Sequence, residues 1–253
     1  MQVSDWKDKY AGRIGFVAGA GPSLRMVNDG QLNKYGPTIA VNSAISKLTQ
    51  ADFFLADDIG VKHWNYYQHI LPTTDAVSFL DADKLVGEAH HLNQEKVVWF
   101  NRKWWFDPKN NVKNPVGLDF TKDEPIIGSR TAAGSAVHLL YIMGCDPIVL
   151  IGCDCCYKEN KRYYWQFKGE QSCYRLNGEK VFCHANRGEL RGMKVDSHSV
   201  QFLEYWQAVA KSAKRSNVRI IDASEGLLDC FENKKLGEVL AEFGERKKDD
   251  RRP

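Results

Sequence analysis

The fold of this chain is most strongly constrained by residues 15–24, Gly15-Phe16-Val17-Ala18-Gly19-Ala20-Gly21-Pro22-Ser23-Leu24. The apolar start predicts a buried strand. The glycines predict a tight turn into a helix at Pro22, because proline suits the first helical turn. Backbone N–H groups at such a turn bind phosphate, so residues 19–23 are a predicted phosphate site. An ordinary strand-to-helix turn that needs glycine for its backbone angles explains the same residues.

Length and composition indicate the class of protein. The chain has 253 residues, of which 43% are hydrophobic and 26% charged, as in ordinary globular domains. That length predicts one nucleotide-binding α/β domain over residues 1–253, with a core of its own. With 35 Lys and Arg against 32 Asp and Glu the net charge is +3, which argues against a dedicated nucleic-acid-binding protein.

The two ends of the chain suggest where the protein works. No apolar run is long enough to span a membrane. Residues 1–10 are polar and charged, unlike a signal peptide, so we expect a cytoplasmic protein. Residues 245–253 are a run of mixed charges, which predicts a solvated and disordered tail.

The cysteines leave two interpretations open. The chain has seven, without regular disulfide spacing, and in the cytoplasm they are expected to be thiols. Five of them and one histidine are candidate zinc ligands: Cys153, Cys155, Cys156, Cys173, Cys183 and His184. Small buried side chains at the end of a strand explain the same residues without a metal.

Strands and helices are predicted to alternate. Apolar runs bounded by turn residues predict strands over 13–18, 38–41, 52–56, 76–79, 96–100, 147–151 and 218–221. Helices are predicted over 22–32, 43–50, 61–69, 132–143, 199–216 and 237–242. This alternation predicts a three-layer, Rossmann-like α/β domain with a mainly parallel sheet.

Polar residues follow the predicted strands. They are residues 19–23, Asn42, Asp57, Asp58, Asp154 and Ser224. Because the carboxyl ends of parallel strands share one edge of the sheet, we expect these residues to converge on a ligand.

Residues 157–197 do not fit the alternation. They are polar and punctuated by glycine, yet they contain Tyr163, Tyr164, Trp165, Phe167 and Tyr174. So many aromatic residues argue against disorder. The segment is therefore predicted to form an aromatic lid, or a small subdomain, over the strand ends.

Three blocks of sequence resemble a known superfamily. Residues 19–24, followed by Ala40-Val41-Asn42-Ser43-Ala44, are similar to the opening of the MptE-like superfamily. Residues 134–137 with 143–154 resemble its second block, and residues 220–226 resemble its closing strand and turn. The superfamily includes archaeal 6-hydroxymethylpterin diphosphokinases and the Maf glycosyltransferases of bacterial flagellins. The resemblance covers the chain from about residue 13 to about residue 230.

A more distant similarity is to small bacterial sialyltransferases that use CMP-sialic acid. It implies a GT-A-like domain that binds the donor nucleotide at the strand ends. The residues implied or predicted to bind nucleotide or phosphate are Gly19, Ala20, Gly21, Pro22, Ser23, Asn42, Ser43, Asp57, Asp58, Thr131, Ala132, Ala133, Gly134, Gly152 and Asp154. It also implies that Tyr157 and either Tyr163 or Tyr164 stabilise the leaving phosphate, and that His198 is the base.

The leading hypothesis is therefore a glycosyltransferase. It would move a sugar from a CMP-sugar-like donor to a glycan, protein or nucleobase acceptor, with no metal or other cofactor required. Histidine suits the role of base because its pKa lies near neutrality. His184 is the competing base, and Asp196-Ser197-His198 also suits the cap of a helix. A homo-oligomer is compatible with the sequence.

Two other functions stay open. If Asp57, Asp58 and Asp154 share a magnesium ion, the protein would be a diphosphokinase that uses ATP on a pterin-like hydroxymethyl acceptor. The third hypothesis is a nucleotide-binding module without catalysis, for which aromatic residues such as Trp64 and Tyr66 would form an interaction surface.

Overall fold

A parallel sheet forms the centre of the molecule. The structure is a computed structural model, and it describes residues 1–104, 120–128, 131–167 and 187–244. The strands in these residues are β1 (Gly15–Ala18), β2 (Thr38–Val41), β3 (Phe53–Ala56), β4 (Val77–Asp81), β5 (Val97–Phe100), β6 (Arg102–Trp104), β7 (Ile126–Gly128), β8 (Ile148–Ile151), β9 (Arg187–Leu190), β10 (Met193–Asp196), β11 (Ile220–Asp222) and β12 (Glu232–Asn233). Eight of them form the main sheet in the order β12-β11-β8-β1-β2-β3-β4-β5, and each neighbouring pair is parallel.

The direction of winding reverses beside β1. From β1 the chain adds β2, β3, β4 and β5 outward on one side, and then it returns to place β8 on the other side of β1. The chain therefore leads from β1 and from β8 into opposite halves of the sheet. Such a reversal opens a crevice at the carboxyl edge, which is where α/β proteins bind ligands.

The sheet is buried on both faces, as the predicted three layers require. The helices are α1 (Ala82–Leu85), α2 (Ala132–Ile142), α3 (Ser197–Arg215) and α4 (Leu236–Phe243). One face packs on α2, α3 and the N-terminal segment, where the Trp6 ring meets Phe53 edge-on at 5.0 Å. The other face is covered by α4 and several short turns. Among the described helices, none has the length and apolar character needed to cross a membrane.

The seven predicted strands are all present within two residues, and α2, α3 and α4 match three predicted helices. The other three predicted helices are wrong. Residues 22–32 form the 3-10 turns Pro22–Met26 and Leu32–Lys34, residues 43–50 form Asn42–Ser46, and residues 61–69 form Ile59–His63 and the π turn Tyr66–Ile70. Local backbone angles explain the breaks: Gly30 has a φ of 69°, and Trp64 is extended between its two turns.

The loops after β1 and β8 are hydrogen-bonded to each other. The Gly19 N–H donates to the Ile151 carbonyl at 2.7 Å, and the Gly21 N–H donates to the Gly152 carbonyl at 2.8 Å. A Cβ on Gly21 would lie 2.3 Å from Asp154 Oδ2 and 2.6 Å from the Gly152 oxygen. Only glycine allows this close approach of the two loops.

The predicted lid is described at both ends. Residues 164–167 form the 3-10 turn Tyr164–Phe167, and β9 and β10 form an antiparallel hairpin that the sequence did not predict. Residues 168–186, which include Tyr174, lie outside the described residues, as do residues 245–253. The lid over 157–197, the charged tail and the single domain over 1–253 stay predictions.

We expect Gly21→Ala to destabilise the fold, because its methyl group would press on the β8 loop. The melting temperature should fall by several degrees, since about 1 kcal/mol corresponds to roughly 2–4 °C in a chain of this size. Gly237→Ala is the matched control, because no heavy atom lies within 4 Å of its Cβ position. Equal melting temperatures of Gly21→Ala and the wild-type protein would contradict the packing of the two loops.

Candidate active site

A cavity of about 350 Å³ lies over the carboxyl ends of β1, β2, β3 and β8. Its floor comes from the segments that follow these strands, and its walls come from the start of α2, one face of α3 and the segments around Trp64 and Tyr163. Most of the predicted nucleotide-binding residues line it: Gly19, Ala20, Gly21, Pro22, Asn42, Ser43, Asp57, Asp58, Thr131, Ala132, Ala133, Gly152 and Asp154. Ser23 and Gly134 do not line the cavity.

Asp154 joins the two central loops at the cavity floor. Its side chain is buried, and Oδ2 accepts hydrogen bonds from the Ser23 hydroxyl at 2.9 Å and the Ser23 N–H at 3.1 Å. The Ser23 hydroxyl in turn accepts from the Gly152 N–H at 3.1 Å. Burial raises the pKa of Asp154 to about 7, although the bonds from Ser23 oppose this.

Three amides of the turn at residues 19–23, the predicted phosphate site, are bonded within the protein, and phosphate binding there stays a prediction. The N–H groups of Gly19 and Gly21 donate to the β8 loop, and that of Ser23 donates to Asp154. The following helix is a 3-10 turn of five residues. These three amides are already used to hold two loops together, so an anion in the cavity needs donors other than these three.

Asp57 is the second buried carboxylate of the cavity. Its Oδ2 accepts a hydrogen bond from the Ser135 hydroxyl at 2.9 Å and lies 3.3 Å from Arg102 Nη1. Arg102 also pairs with Asp81, at 2.9 Å from its Nε. Burial raises the pKa of Asp57 to about 6, although Arg102 and Ser135 oppose this. An acid with such a pKa can take up a proton near neutral pH.

The three carboxylates of the predicted magnesium site are not grouped around one position. Asp57 and Asp58 follow β3, whereas Asp154 follows β8, and β1 and β2 lie between these strands. Three interstrand spacings separate the backbones of β3 and β8 by roughly 14 Å, which is too far for one ion to bridge. Asp58 is exposed and accepts from the Gly60 N–H at 2.9 Å. Within the described part of the chain, no three His, Cys, Asp or Glu residues are grouped to hold a metal.

Asp196 is the centre of a buried network beside the cavity. It caps α3, and its Oδ1 accepts from the Ser199 N–H at 2.7 Å and hydroxyl at 2.9 Å. Its Oδ2 accepts from the Tyr157 hydroxyl at 2.8 Å and from Arg162 Nη1 at 2.5 Å. Burial alone would raise the pKa of Asp196. These hydrogen bonds and the Arg162 charge outweigh burial and hold the pKa below its ordinary value.

The three candidate tyrosines have different positions. Tyr163 lines the cavity, and its ring stacks on Trp165 with 5.2 Å between centroids. Tyr164 is buried in the core, where its hydroxyl donates to the Ser43 carbonyl at 2.9 Å. Tyr157 is buried against Asp196 and does not line the cavity. Of the three tyrosines for which the resemblance implied a leaving-group role, Tyr163 is therefore the one that lines the cavity.

His198 lies outside the cavity. The Asp196 cap fixes the rotation of α3, so that Ser199, Phe202 and Trp206 face the cavity at helical spacing. His198, one residue earlier, is exposed, and its ring meets Phe202 edge-on at 6.4 Å. The base role implied for His198 does not match this position.

Three cysteines, Cys153, Cys155 and Cys156, line the cavity. Burial raises the pKa of each thiol, which favours the protonated, unreactive form. The other proposed zinc ligands, Cys173, Cys183 and His184, lie outside the described residues. Zinc binding therefore stays a prediction.

Sequence reasoning missed one charged residue of the site, Arg162. It lines the cavity between the Asp196 network and the aromatic wall. The available signal was a cation directly before Tyr163-Tyr164-Trp165, a combination that often marks ligand-binding loops.

Comparisons with known proteins agree with this architecture. The family model described as MptE-like, 6-hydroxymethylpterin diphosphokinase MptE-like, matches residues 1–160. A Maf glycosyltransferase from Magnetospirillum magneticum AMB-1 has a similar structure, with a TM-score of 0.51 and 12% sequence identity. That match covers 94% of this chain and 37% of the Maf chain, so it shows a shared fold over about a third of the larger protein. No curated protein matches the chain.

The buried Asp154 predicts a pH-dependent stability. Because its pKa is raised above the value in the unfolded chain, only the native state keeps this proton between about pH 4 and 7. Its contribution therefore stabilises the fold at low pH and is lost as the pH rises through 7. We expect the melting temperature of the wild-type protein to decline more between pH 5 and 8 than that of Asp154→Asn.

The comparison between variants isolates this group, because Asp57 and the other carboxylates titrate in both proteins. Asp58→Asn, at an exposed position on the same edge, is the matched control and should follow the wild-type curve. Parallel melting curves of the wild-type protein and Asp154→Asn would contradict the raised pKa.

Proposed function

The chain belongs to the MptE-like family, and on that premise we propose that it is a glycosyltransferase that moves a sugar from a nucleotide-sugar donor to an acceptor hydroxyl. The observation that carries the proposal is the cavity at the winding reversal of the sheet, with polar strand ends as its floor and aromatic rings as its walls. A flat base and a sugar both suit such walls. The fold shared with a Maf glycosyltransferase supports the same reaction class.

The floor residues suit the nucleoside half of a donor. Asn42 directly follows β2 and has a φ of 52°, a backbone angle at which the extended strand ends. Asn42 lines the cavity, and its buried Oδ1 has no hydrogen-bond partner among the described residues. The start of α2 at residues 131–133 faces the same space. We assign nucleotide binding to Asn42, Ser43, Thr131, Ala132 and Asp154.

Glycosyl transfer requires a group that accepts the proton of the acceptor hydroxyl. As that O–H bond breaks, the acceptor oxygen bonds to the anomeric carbon, and the bond from this carbon to the donor phosphate breaks. The nucleotide then leaves with the electron pair. We assign proton acceptance to Asp57, which lines the cavity and has a pKa near neutrality. Tyr163 is placed to donate to the departing phosphate.

Asp57 replaces His198 in this scheme for a geometric reason. A base must reach the proton that it removes, directly or through one water. Asp57 lies at the cavity floor, while His198 is exposed on the outer side of α3. Asp154 is less suited, because Ser23 occupies its oxygens.

A magnesium-dependent diphosphokinase is the second candidate, and the description of the matching family model favours it. Mg²⁺ bound to nucleotide phosphates needs only one or two carboxylates, and Asp57 and Asp58 stand together at the cavity. The two candidates differ in ligand and in metal requirement.

Ligand-induced stabilisation separates these candidates. Thermal melting would be measured with CMP, CDP, UDP, GDP, ATP and the corresponding nucleotide sugars, each with magnesium and with chelator. A ligand that binds only the native state raises the melting temperature by mass action. We expect a shift with one sugar nucleotide and its product that survives the chelator. A shift with ATP that requires magnesium would favour the diphosphokinase, and no shift would contradict both enzymes.

The base assignment predicts opposite outcomes for two variants. With the donor that the screen identifies, Asp57→Asn should reduce kcat by about 100-fold or more, the usual contribution of a general base. His198→Ala should stay within a few-fold of wild type. Nucleotide affinity, measured by calorimetry, should change little in either variant and serves as the folding control. Loss of turnover in His198→Ala alone would restore histidine as the base.

A further inference from the structure

We infer that Arg162 binds an oxyanion of the substrate, and that Asp196 positions it for this task. The inference deepens the proposed function, on which it rests, because it names the part of the ligand that this wall of the cavity recognises. The ligand class is a molecule with a flat or apolar portion and a phosphate or carboxylate group.

The guanidinium is held in a buried frame. Asp196 accepts four hydrogen bonds, two from Ser199, one from Tyr157 and one from Arg162. Because Ser199 belongs to α3 and Tyr157 follows β8, the carboxylate ties both segments to the arginine. A guanidinium carries five N–H donors in a rigid plane. Arg162 uses Nη1 toward Asp196 and also hydrogen-bonds the Tyr157 side chain, which leaves the remaining N–H groups of the plane for a ligand.

The surroundings of the Arg162 guanidinium strengthen its contact with an anionic group. The Arg162 side chain is only 12% exposed, and its guanidinium lies 5.5 Å from the Tyr163 ring centre and 6.0 Å from that of Phe202. In such a partly dehydrated place, charge interactions are screened less than at the surface. Arginine is also the residue that matches phosphate and carboxylate groups with two parallel hydrogen bonds.

The charged residues that line the cavity indicate what Arg162 recognises. Among the described residues that line the cavity, Asp57, Asp58 and Asp154 are acidic and Arg162 is the one cation. The amides of Gly19, Gly21 and Ser23 are used within the protein. An anionic ligand that enters the cavity therefore meets charged N–H donors at Arg162, which Asp196 already holds in place. A neutral ligand would gain less from this residue, because hydrogen bonds between two ionised groups are the stronger ones.

Paired ligands test the inference by isothermal calorimetry. CMP and cytidine differ by one phosphate, and N-acetylneuraminic acid and pyrophosphate supply a carboxylate and a phosphate without the nucleoside. In Arg162→Gln we expect the affinity for CMP to fall 10- to 100-fold while that for cytidine stays unchanged. Arg162→Lys, which keeps the charge without the planar fork, should be intermediate. Arg191→Gln is the control, because Arg191 is exposed in the β9–β10 hairpin.

The outcomes separate the inference from the proposed function. Equal CMP affinity in wild type and Arg162→Gln would overturn the inference and leave a nucleotide-binding enzyme. Arg162-dependent binding of pyrophosphate without binding of any nucleoside would support the inference and contradict the nucleotide donor. A dependence seen with N-acetylneuraminic acid but not with CMP would assign Arg162 to a sugar carboxylate. If none of the anions binds the wild-type protein, the inference is wrong.

Discussion

The contact between Asp154 and Ser23 is the interaction on which the site depends. The winding of the sheet reverses between β1 and β8, and the chain leads from them to strands on opposite sides. Ser23 donates its N–H and hydroxyl to Asp154, so the two loops form one surface. Gly21 makes the approach possible, because any Cβ there would meet Asp154. The cavity floor is therefore rigid before any ligand arrives, which lowers the conformational entropy that binding would cost.

The hydrogen bonds that join the two loops also limit how the cavity floor can bind a charged group. A glycine turn after the first strand binds phosphate in many α/β proteins through its free amides. Here the amides of Gly19, Gly21 and Ser23 are bonded to the β8 loop. With these three amides occupied, the proposed recognition of a charged group is assigned to a wall of the cavity. Arg162 occupies that wall, and Asp196 holds it there.

The sequence predicted the sheet and the floor of the cavity better than the rest. Strands are local apolar runs, and the residues after parallel strands converge by geometry, so Asn42, Asp57 and Asp154 could be found from the pattern alone. The short turns over one face were mistaken for helices, because 3-10 and α segments share an apolar spacing over five residues. Which side chains enter the cavity from α3 depends on its rotation, which the periodicity of the sequence does not provide.

Asp196 is the reason that the motif and the geometry differ. By sequence, Tyr157 and His198 occupy the positions where a sialyltransferase resemblance implies chemistry. In the fold, the capping bonds to Ser199 set the rotation of α3 and direct His198 outward, while the same carboxylate fixes the hydroxyl of Tyr157. A group that is bound within the wall is poorly placed to donate to a leaving phosphate. The proposed chemistry therefore uses residues that line the cavity, Asp57 on the floor and Tyr163 on the wall. The same Asp196 network holds the Arg162 guanidinium at that wall.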